Sequence, residues 1–156
     1  MDNEKKLIGE YPNTYTYTKA MAERSMKKRL GKLKCAIVRP SIIISANHEP
    51  RPGWIDSLAA AGGMIFSVTS GLMHYVPCEG SSIIDIIPVD FTSNMILTAA
   101  VFTALSPEPI LNVAHNASSH LNPISLRGLA DNCLNYVDYH PYHRALFPAH
   151  VRACPS

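Results

Sequence analysis

A tyrosine and a lysine lie four residues apart near the start of the sequence, at Tyr15 and Lys19. In a helix this spacing places both side chains on one face, one turn apart. A phenol, with a pKa near 10, is a poor acid–base group at neutral pH, but a neighbouring ammonium favours the phenolate. Lowering a phenol pKa by about 2 to 3 units takes roughly 3 to 4 kcal/mol, which requires a partly desolvated cleft. In such a cleft the phenol could protonate a carbonyl oxygen while hydride reaches the carbon.

The bare spacing also has a purely structural interpretation. Lysine stems often lie along the apolar face of an amphipathic helix while the ammonium reaches water. Tyr15, Lys19, Ala22, Met26 and Leu30 recur at helical intervals and would form one face of such a helix. Tyr17 projects from nearly the opposite side, so it cannot share the lysine in the same way. The spacing alone therefore does not separate catalysis from packing.

The helix that carries this pair is the first of several alternating elements. It is predicted over about 14–30, with Asn13 or Thr14 as its cap and Gly31 at its end. Apolar runs predict strands at 34–39, 83–89 and 110–114, and the segment 41–44 is predicted to be a loop. Further helices are predicted over 54–70, from Asp90 to about 104, and from Ser125 to about 139. This alternation is typical of an α/β fold with a parallel sheet.

The composition is that of a packed globular domain. The chain has 156 residues, of which 47% are hydrophobic and 17% charged. This apolar content can fill a core, and intrinsic disorder is not favoured. The net charge of +2 is too small to indicate a nucleic-acid-binding protein.

The cysteines and the N-terminal residues indicate a reducing compartment. Cys35, Cys78, Cys133 and Cys154 are widely spaced and form no pattern of a disulfide framework. The first residues, MDNEKK, are polar, and no apolar signal-peptide core follows them. We therefore predict free thiols in an intracellular protein.

The segment between Asp56 and Glu79 contains no Asp, Glu, Lys or Arg. It is long enough to cross a bilayer, but its glycines, His74 and Pro77 make a buried or lipid-contacting helix the favoured prediction. No metal site is predicted, because His140 and His143 lack further ligands at zinc spacing.

Several blocks in a constant order give the Tyr15–Lys19 spacing more weight. The blocks are 11–23 (YPNTYTYTKAMAE), 37–43 (IVRPSII), 49–56 (EPRPGWID), 85–90 (DIIPVD), 122–124 (NPI) and 140–141 (HP). Together they resemble fatty acyl-CoA reductases, the male-sterility type of the extended short-chain dehydrogenase/reductase superfamily. The resemblance is close over 11–125 and looser beyond it.

The resemblance implies roles for particular residues. Tyr15 would be the general acid toward the acyl carbonyl, and Lys19 would favour the phenolate and bind the nicotinamide ribose. Pro40, Ser41 and Ile42 would line the nicotinamide pocket, mostly through backbone groups. The uncharged segment 57–78 would face the acyl chain. The implied reaction is NADPH-dependent reduction of long-chain acyl-CoA to a fatty alcohol through an aldehyde, at a cytosol-facing peroxisomal or endoplasmic-reticulum surface with possible peripheral membrane contact.

The chain also departs from the family's pattern. Nothing in it matches the glycine-rich strand–turn–helix that binds the cofactor pyrophosphate. We therefore expect residues 1–156 to form a single partial domain, the second half of a Rossmann-like doubly wound parallel sheet that lacks the N-terminal glycine-rich βαβ unit. A polar lead would occupy 1–10, and a terminal helix and tail 126–156.

Two functions follow from a partial domain. The first is a reductase segment whose activity needs the missing half. The second is a non-catalytic accessory subunit or interaction module in a larger assembly. Either role favours another polypeptide that covers the incomplete sheet, since exposed sheet edges and apolar helix faces invite pairing.

Overall fold

Helices and short strands alternate along the chain in a computed structural model, which describes residues 8–107, 111–145 and 147–154. The helices are α1 Thr14–Arg29, α2 Ala61–Thr69, α3 Val89–Leu105 and α4 Leu126–Tyr139. The strands are β1 Cys35–Pro40, β2 Ile42–Ile44, β3 Tyr75–Pro77, β4 Ile83–Ile84, β5 Ile86–Pro88, β6 Leu111–Asn116, β7 Ile124–Ser125 and β8 Arg152–Cys154.

Local capping sets the start of the first and last of these helices, as predicted. The Asn13 side chain accepts a hydrogen bond from the Thr16 N–H at 2.9 Å, and Ser125 Oγ accepts one from the Gly128 N–H at 3.0 Å. Both side chains satisfy a donor that the first turn of a helix leaves free. Helix α1 ends just before Gly31, whose φ of 55° is left-handed, and α4 ends before His140.

The strands pair two by two. Strand β2 pairs with β5 in parallel, with Ile43 opposite Ile87, and β3 pairs with β8 in parallel. Strand β4 pairs with β7 in antiparallel orientation, and β1 is the neighbour of β6. Parallel pairs joined by intervening helices confirm the predicted α/β class and are consistent with a partial Rossmann-like fold.

Two strand predictions were wrong in detail. The segment 41–44, predicted as a loop, contains β2, because Ile42 donates its N–H to the Asp85 carbonyl at 3.2 Å and continues into the ladder with β5. The run 83–89, predicted as one strand, is divided at Asp85 into β4 and β5, which pair with different partners.

The helix predicted over 54–70 is shorter in the structure, because α2 begins only at Ala61. Ala60, just before it, has a φ of 49°, in the left-handed region that a right-handed helix cannot contain. The third predicted strand is confirmed as β6, but Ile110, its predicted first residue, lies outside the described residues.

The chain forms two compact units. The first contains Met1–Ile37 and Ala99–Val113, and the second contains Val38–Thr98 and Ala114–Ser156. Ile37 is buried in the first unit, and Ala46, Ala61, Val68 and Ile87 are buried in the second. Within the described ranges, no helix is both long and apolar enough to cross a membrane.

Candidate active site

Tyr15 and Lys19 lie in the first unit, one turn apart near the start of α1. The cap at Asn13 begins the helix two residues before Tyr15, so the tyrosine and lysine have helical spacing. Lys19 Nζ lies 5.5 Å from the centre of the Tyr15 ring. This distance is within the range of a cation–π contact, so the ammonium and the phenol ring occupy one local surface.

The pair lies on the exposed side of the helix. Tyr15 is 68% exposed, and Lys19 and Ala22 are exposed as well. The half-buried positions of α1 include Tyr17, Ala20 and Met26. The exposure of Tyr15, Lys19 and Ala22 does not fit the packing interpretation of the spacing, since Tyr17 packs and Tyr15 does not.

Tyr17 has a structural environment of its own. Its ring meets the Tyr11 ring edge to face, with centroids 5.6 Å apart and an interplanar angle of 75°. The Arg24 guanidinium lies 5.8 Å from the Tyr11 ring centroid. Since aromatic rings prefer this edge-to-face geometry, Tyr17 serves packing and is a matched control for Tyr15.

Pro40, Ser41 and Ile42 lie in the second unit, at the junction of β1 and β2. Their backbone donors are already used or absent. Proline has no N–H, Ser41 donates its N–H to the Asn116 carbonyl at 2.9 Å, and Ile42 donates its N–H to the Asp85 carbonyl at 3.2 Å. Backbone contact between this segment and a ligand is therefore restricted to carbonyl oxygens.

The Ser41 hydroxyl is the polar side-chain atom of this segment. Its oxygen is buried and makes no hydrogen bond of ordinary geometry, although it lies close enough to Asp85 to contribute to lowering the pKa of that carboxyl. Buried hydroxyls normally have a partner. A nicotinamide carboxamide offers an N–H₂ donor and a carbonyl acceptor, so Ser41 and the neighbouring carbonyl oxygens have suitable chemistry for that group.

Two carboxylates hold the loops around this junction. Asp85 accepts hydrogen bonds from the Ser119 hydroxyl at 2.6 Å and the Ser118 N–H at 3.0 Å. Asp90, which is buried, accepts bonds from the backbone N–H groups of Asn47 at 3.0 Å and His48 at 2.9 Å. The sequence predicted that the third helix would begin at Asp90. The structure places Asp90 in the first turn of α3, with its carboxylate bonded to the 47–49 loop.

Other candidate chemistry is sparse in the described part of the chain. There, no group of three or more His, Cys, Asp or Glu side chains could hold a metal ion. Cys35, Cys78 and Cys133 are free and half-buried. Burial raises the pKa of the Cys133 thiol.

Comparison with known proteins gives a consistent result. The family model described as male sterility protein, an NAD-binding domain, matches residues 1–96. Fatty acyl-CoA reductase 2 of Mus musculus is 35% identical over 140 residues, which are 90% of this chain and 27% of the relative. The same enzyme of Bos taurus is 36% identical, with the same shares. Fatty acyl-CoA reductase 1 of Xenopus laevis is 38% identical over 76% of this chain and 23% of the relative.

The chain thus spans about a quarter of the length of the curated relatives it matches. The family model covers more than half of the chain, including α1, β1 and β2. An NAD-binding domain implies a nicotinamide cofactor, in agreement with the chemistry available at Ser41. The chain therefore belongs to the male sterility protein family, which confirms the resemblance seen in its sequence.

Proposed function

We propose that the chain is part of a fatty acyl-CoA reductase that uses NADPH to reduce long-chain acyl-CoA to a fatty alcohol through an aldehyde. The observation that carries the proposal is the Tyr15–Lys19 pair, exposed on one face of α1 with Lys19 Nζ 5.5 Å from the Tyr15 ring centre. The fatty acyl-CoA reductases that match 90% of the chain support the choice of substrate.

Reduction of a carbonyl requires hydride at carbon and a proton at oxygen. When bound, the reduced nicotinamide supplies the hydride. Tyr15 donates its phenolic proton to the carbonyl oxygen, and the Lys19 ammonium stabilises the phenolate that remains. The first reduction releases coenzyme A as its thiol and leaves the aldehyde, and a second hydride and proton convert the aldehyde to the alcohol.

The cofactor-binding roles that we propose belong to Lys19, Pro40, Ser41 and Ile42. Lys19 would donate hydrogen bonds to the nicotinamide ribose. The Ser41 hydroxyl would donate to the carboxamide oxygen, and the carbonyl oxygens of Pro40 and Ile42 would accept from the carboxamide N–H₂ group. We propose that the glycine-rich pyrophosphate site lies in residues other than 1–156, because no such motif is present here.

The proton donor also needs protection from water. Tyr15 is 68% exposed, whereas an ammonium stabilises a phenolate strongly only at low local dielectric. The bound cofactor, together with polypeptide beyond these residues, would cover the pair and form the cleft. This polypeptide is also the proposed partner for the incomplete sheet.

The test is acyl-CoA-dependent oxidation of NADPH by the full gene product that carries these residues. We expect Tyr15→Phe to lower kcat by about 100-fold or more, because it removes the general acid. The matched control Tyr17→Phe removes a phenolic hydroxyl two residues away, and this variant should be as active as the wild type. Replacing NADPH by NADH measures cofactor preference.

Two results would contradict the proposal. The first is that palmitoyl-CoA leaves NADPH unoxidised, and the second is that Tyr15→Phe and Tyr17→Phe are equally active. Either result would favour the accessory role. The proposed cytosol-facing peroxisomal or endoplasmic-reticulum location is tested separately, by microscopy of the tagged gene product and protease protection of isolated organelles.

A further inference from the structure

Residues 147–154, which we call the strap, lie against the segment 71–77 in the second unit. The strap ends in β8, which pairs in parallel with β3 over three residues. At the start of this ladder the Arg152 N–H donates to the His74 carbonyl at 2.9 Å. The sequence predicted only a tail in this region, so the pairing is a finding of the structure.

Aromatic rings hold the strap at the residues before β8. The His150 ring stacks on the His74 ring, with centroids 3.9 Å apart and an interplanar angle of 20°. The Phe147 ring meets the same His74 ring edge to face, with centroids 6.0 Å apart. The Phe147 carbonyl also approaches Gly71 so closely that a β-carbon there would overlap it. His74 is therefore the residue on which most of the contacts of the strap converge.

The strap forms part of the wall of a cavity of about 740 Å³ in the second unit, through Val151 and Arg152. The cavity includes part of the uncharged segment 57–78, but the wall formed by α4 was not predicted. Cys133, on α4, also lines it. Helices α2 and α4 each present an apolar stripe to the cavity, formed by Met64 and Val68 on α2 and by Leu126 and Leu129 on α4.

The contacts of the strap are few for its length. Among residues 147–152 no side chain is buried: Phe147 is 58% exposed, His150 is exposed and Val151 is half-buried. A two-stranded pairing is marginal on its own, and ordering the strap costs conformational entropy. A segment with few buried contacts opens at a lower free-energy cost than the whole fold. The strap can therefore detach while the rest of the second unit stays folded.

One atom under the strap favours detachment. His74 Nε2 is buried and has no hydrogen-bond partner among the described residues. A buried polar atom without a partner has lost its bond to water and gained nothing in return. Because two strap rings, those of Phe147 and His150, contact the His74 ring, detachment would return this nitrogen to water. Ring contact and lost hydration thus oppose each other at His74.

We propose that the strap controls access to the cavity by exchanging between a docked and a detached state. The docked strap closes part of the cavity wall, and the detached strap lets solutes reach the interior. His74 sets the balance, because its ring favours docking and its unpartnered nitrogen favours detachment. This inference concerns a conformational device in the second unit and does not depend on the reductase function.

The native thiol of Cys133 reports access to the cavity. The full gene product is alkylated with N-ethylmaleimide at mildly alkaline pH, because burial raises the pKa of Cys133. Peptide mass spectrometry then gives the rate at each cysteine. His150→Ala loses the ring stack and should raise the rate at Cys133 about two- to tenfold. The matched control His120→Ala, at an exposed histidine outside the strap, should leave the rate unchanged, and Cys35 in the first unit is the internal control.

Two variants that keep a ring make the test specific. His150→Phe retains a ring to stack on His74 and should have the wild-type rate at Cys133. His74→Phe retains the ring but removes the buried nitrogen, so it should slow alkylation of Cys133 about fivefold or more. If His74 only supported the fold, His74→Phe would raise the rate, as His150→Ala does, and the balancing role would be refuted.

Hydrogen exchange reports the strap directly. The Arg152 N–H should exchange about tenfold or more faster than the amides in the middle of α4, because its protection depends on the docked strap alone. Across the variants its rate should rise and fall together with the alkylation rate of Cys133.

Three results would overturn the proposal. An equal rise in alkylation at Cys35 and Cys133 in His150→Ala would mean that the strap opens only when the whole fold opens. Exchange of the Arg152 N–H no faster than that of α4 would mean that the strap does not detach by itself. Faster exchange in the strap without faster alkylation of Cys133 would mean that the strap moves but does not control access to the cavity.

Discussion

Asp85 and Ser119 are joined by a 2.6 Å hydrogen bond from the serine hydroxyl to the carboxylate, across 34 residues of sequence. This hydroxyl and then the Ser118 N–H hold the pKa of Asp85 below its usual value. The main-chain carbonyl of Asp85 accepts the Ile42 N–H at 3.2 Å. One residue therefore ties the loop after β6 to the segment that we propose contacts the nicotinamide.

Asp85→Asn should raise the KM for NADPH by several-fold and change kcat less. The amide is a weaker acceptor than the carboxylate, so the 118–119 loop loses its anchor and the Ser41–Ile42 segment shifts. Steady-state kinetics with NADPH as the varied substrate measure the effect.

Asp90→Asn is the matched control for this variant. Asp90 also accepts backbone N–H groups, but from Asn47 and His48 rather than from the 118–119 loop. If the two variants raised the KM for NADPH equally, the effect of Asp85→Asn would be a general loss of stability. The proposed role of Asp85 in positioning the Ser41–Ile42 segment would then be wrong.

Acid should destabilise the protein through Asp90. The Asn47 N–H, with those of His48 and Glu49 and against the opposing effect of burial, lowers the pKa of Asp90 from 3.8 to about 2. A carboxyl whose pKa is lower in the folded state than in the unfolded state stabilises the fold fully at pH values above its unfolded-state pKa. That contribution is lost as the pH falls from about 4 to about 2. Thermal unfolding of the wild type and Asp90→Asn over this pH range should show a steeper loss in the wild type.

A parallel pH dependence of Tm in the two proteins would disprove this linkage. Asp90→Glu tests the geometry, since it keeps the charge but moves the carboxylate away from the 47–49 loop. We expect this variant to be less stable than the wild type at neutral pH.

Helix boundaries could be predicted because their causes are local. Asn13 and Ser125 cap helices through bonds to residues three positions away, so the chemistry is visible within one turn of sequence. The division of 83–89 had no such signal. Asp85 interrupts that run because its side chain bonds to Ser118 and Ser119, more than 30 residues away. The pattern of hydrophobic residues within 83–89 cannot reveal such distant contacts.

The same distinction applies to the candidate sites. Tyr15 and Lys19 are neighbours by helical spacing, so their proximity followed from the sequence. Which face of α1 packs did not, because the tertiary environment selects Tyr17 over Tyr15. The cavity has walls from α2 and α4, about 60 residues apart, and only the apolar stripe of each helix is visible in the sequence.

Removing the cap of α1 should weaken the helix that carries Tyr15. Asn13→Ala loses the side-chain acceptor for the Thr16 N–H, which costs about 1 kcal/mol. For a chain of this size the loss lowers Tm by about 2 to 4 °C. Asn13→Ser should restore most of it, because serine also accepts this bond. Equal Tm values for Asn13→Ala and the wild type would exclude the cap as a source of stability.

Gly71→Ala should destabilise the protein more than Gly31→Ala does. Both glycines are left-handed, with φ of 72° and 55°, so each alanine incurs roughly 1 to 2 kcal/mol of backbone strain. A β-carbon at Gly31 meets open space, whereas one at Gly71 would overlap the Phe147 carbonyl oxygen. To relieve that overlap, the segment around residue 147 must move, which disturbs the stacking of His150 on His74, whose ring centres are 3.9 Å apart. We expect this movement to lower the free energy of unfolding by about 1 to 3 kcal/mol more. Denaturant unfolding of the two variants measures this difference, and equal losses would mean that the close approach of residue 147 to Gly71 is absent in solution.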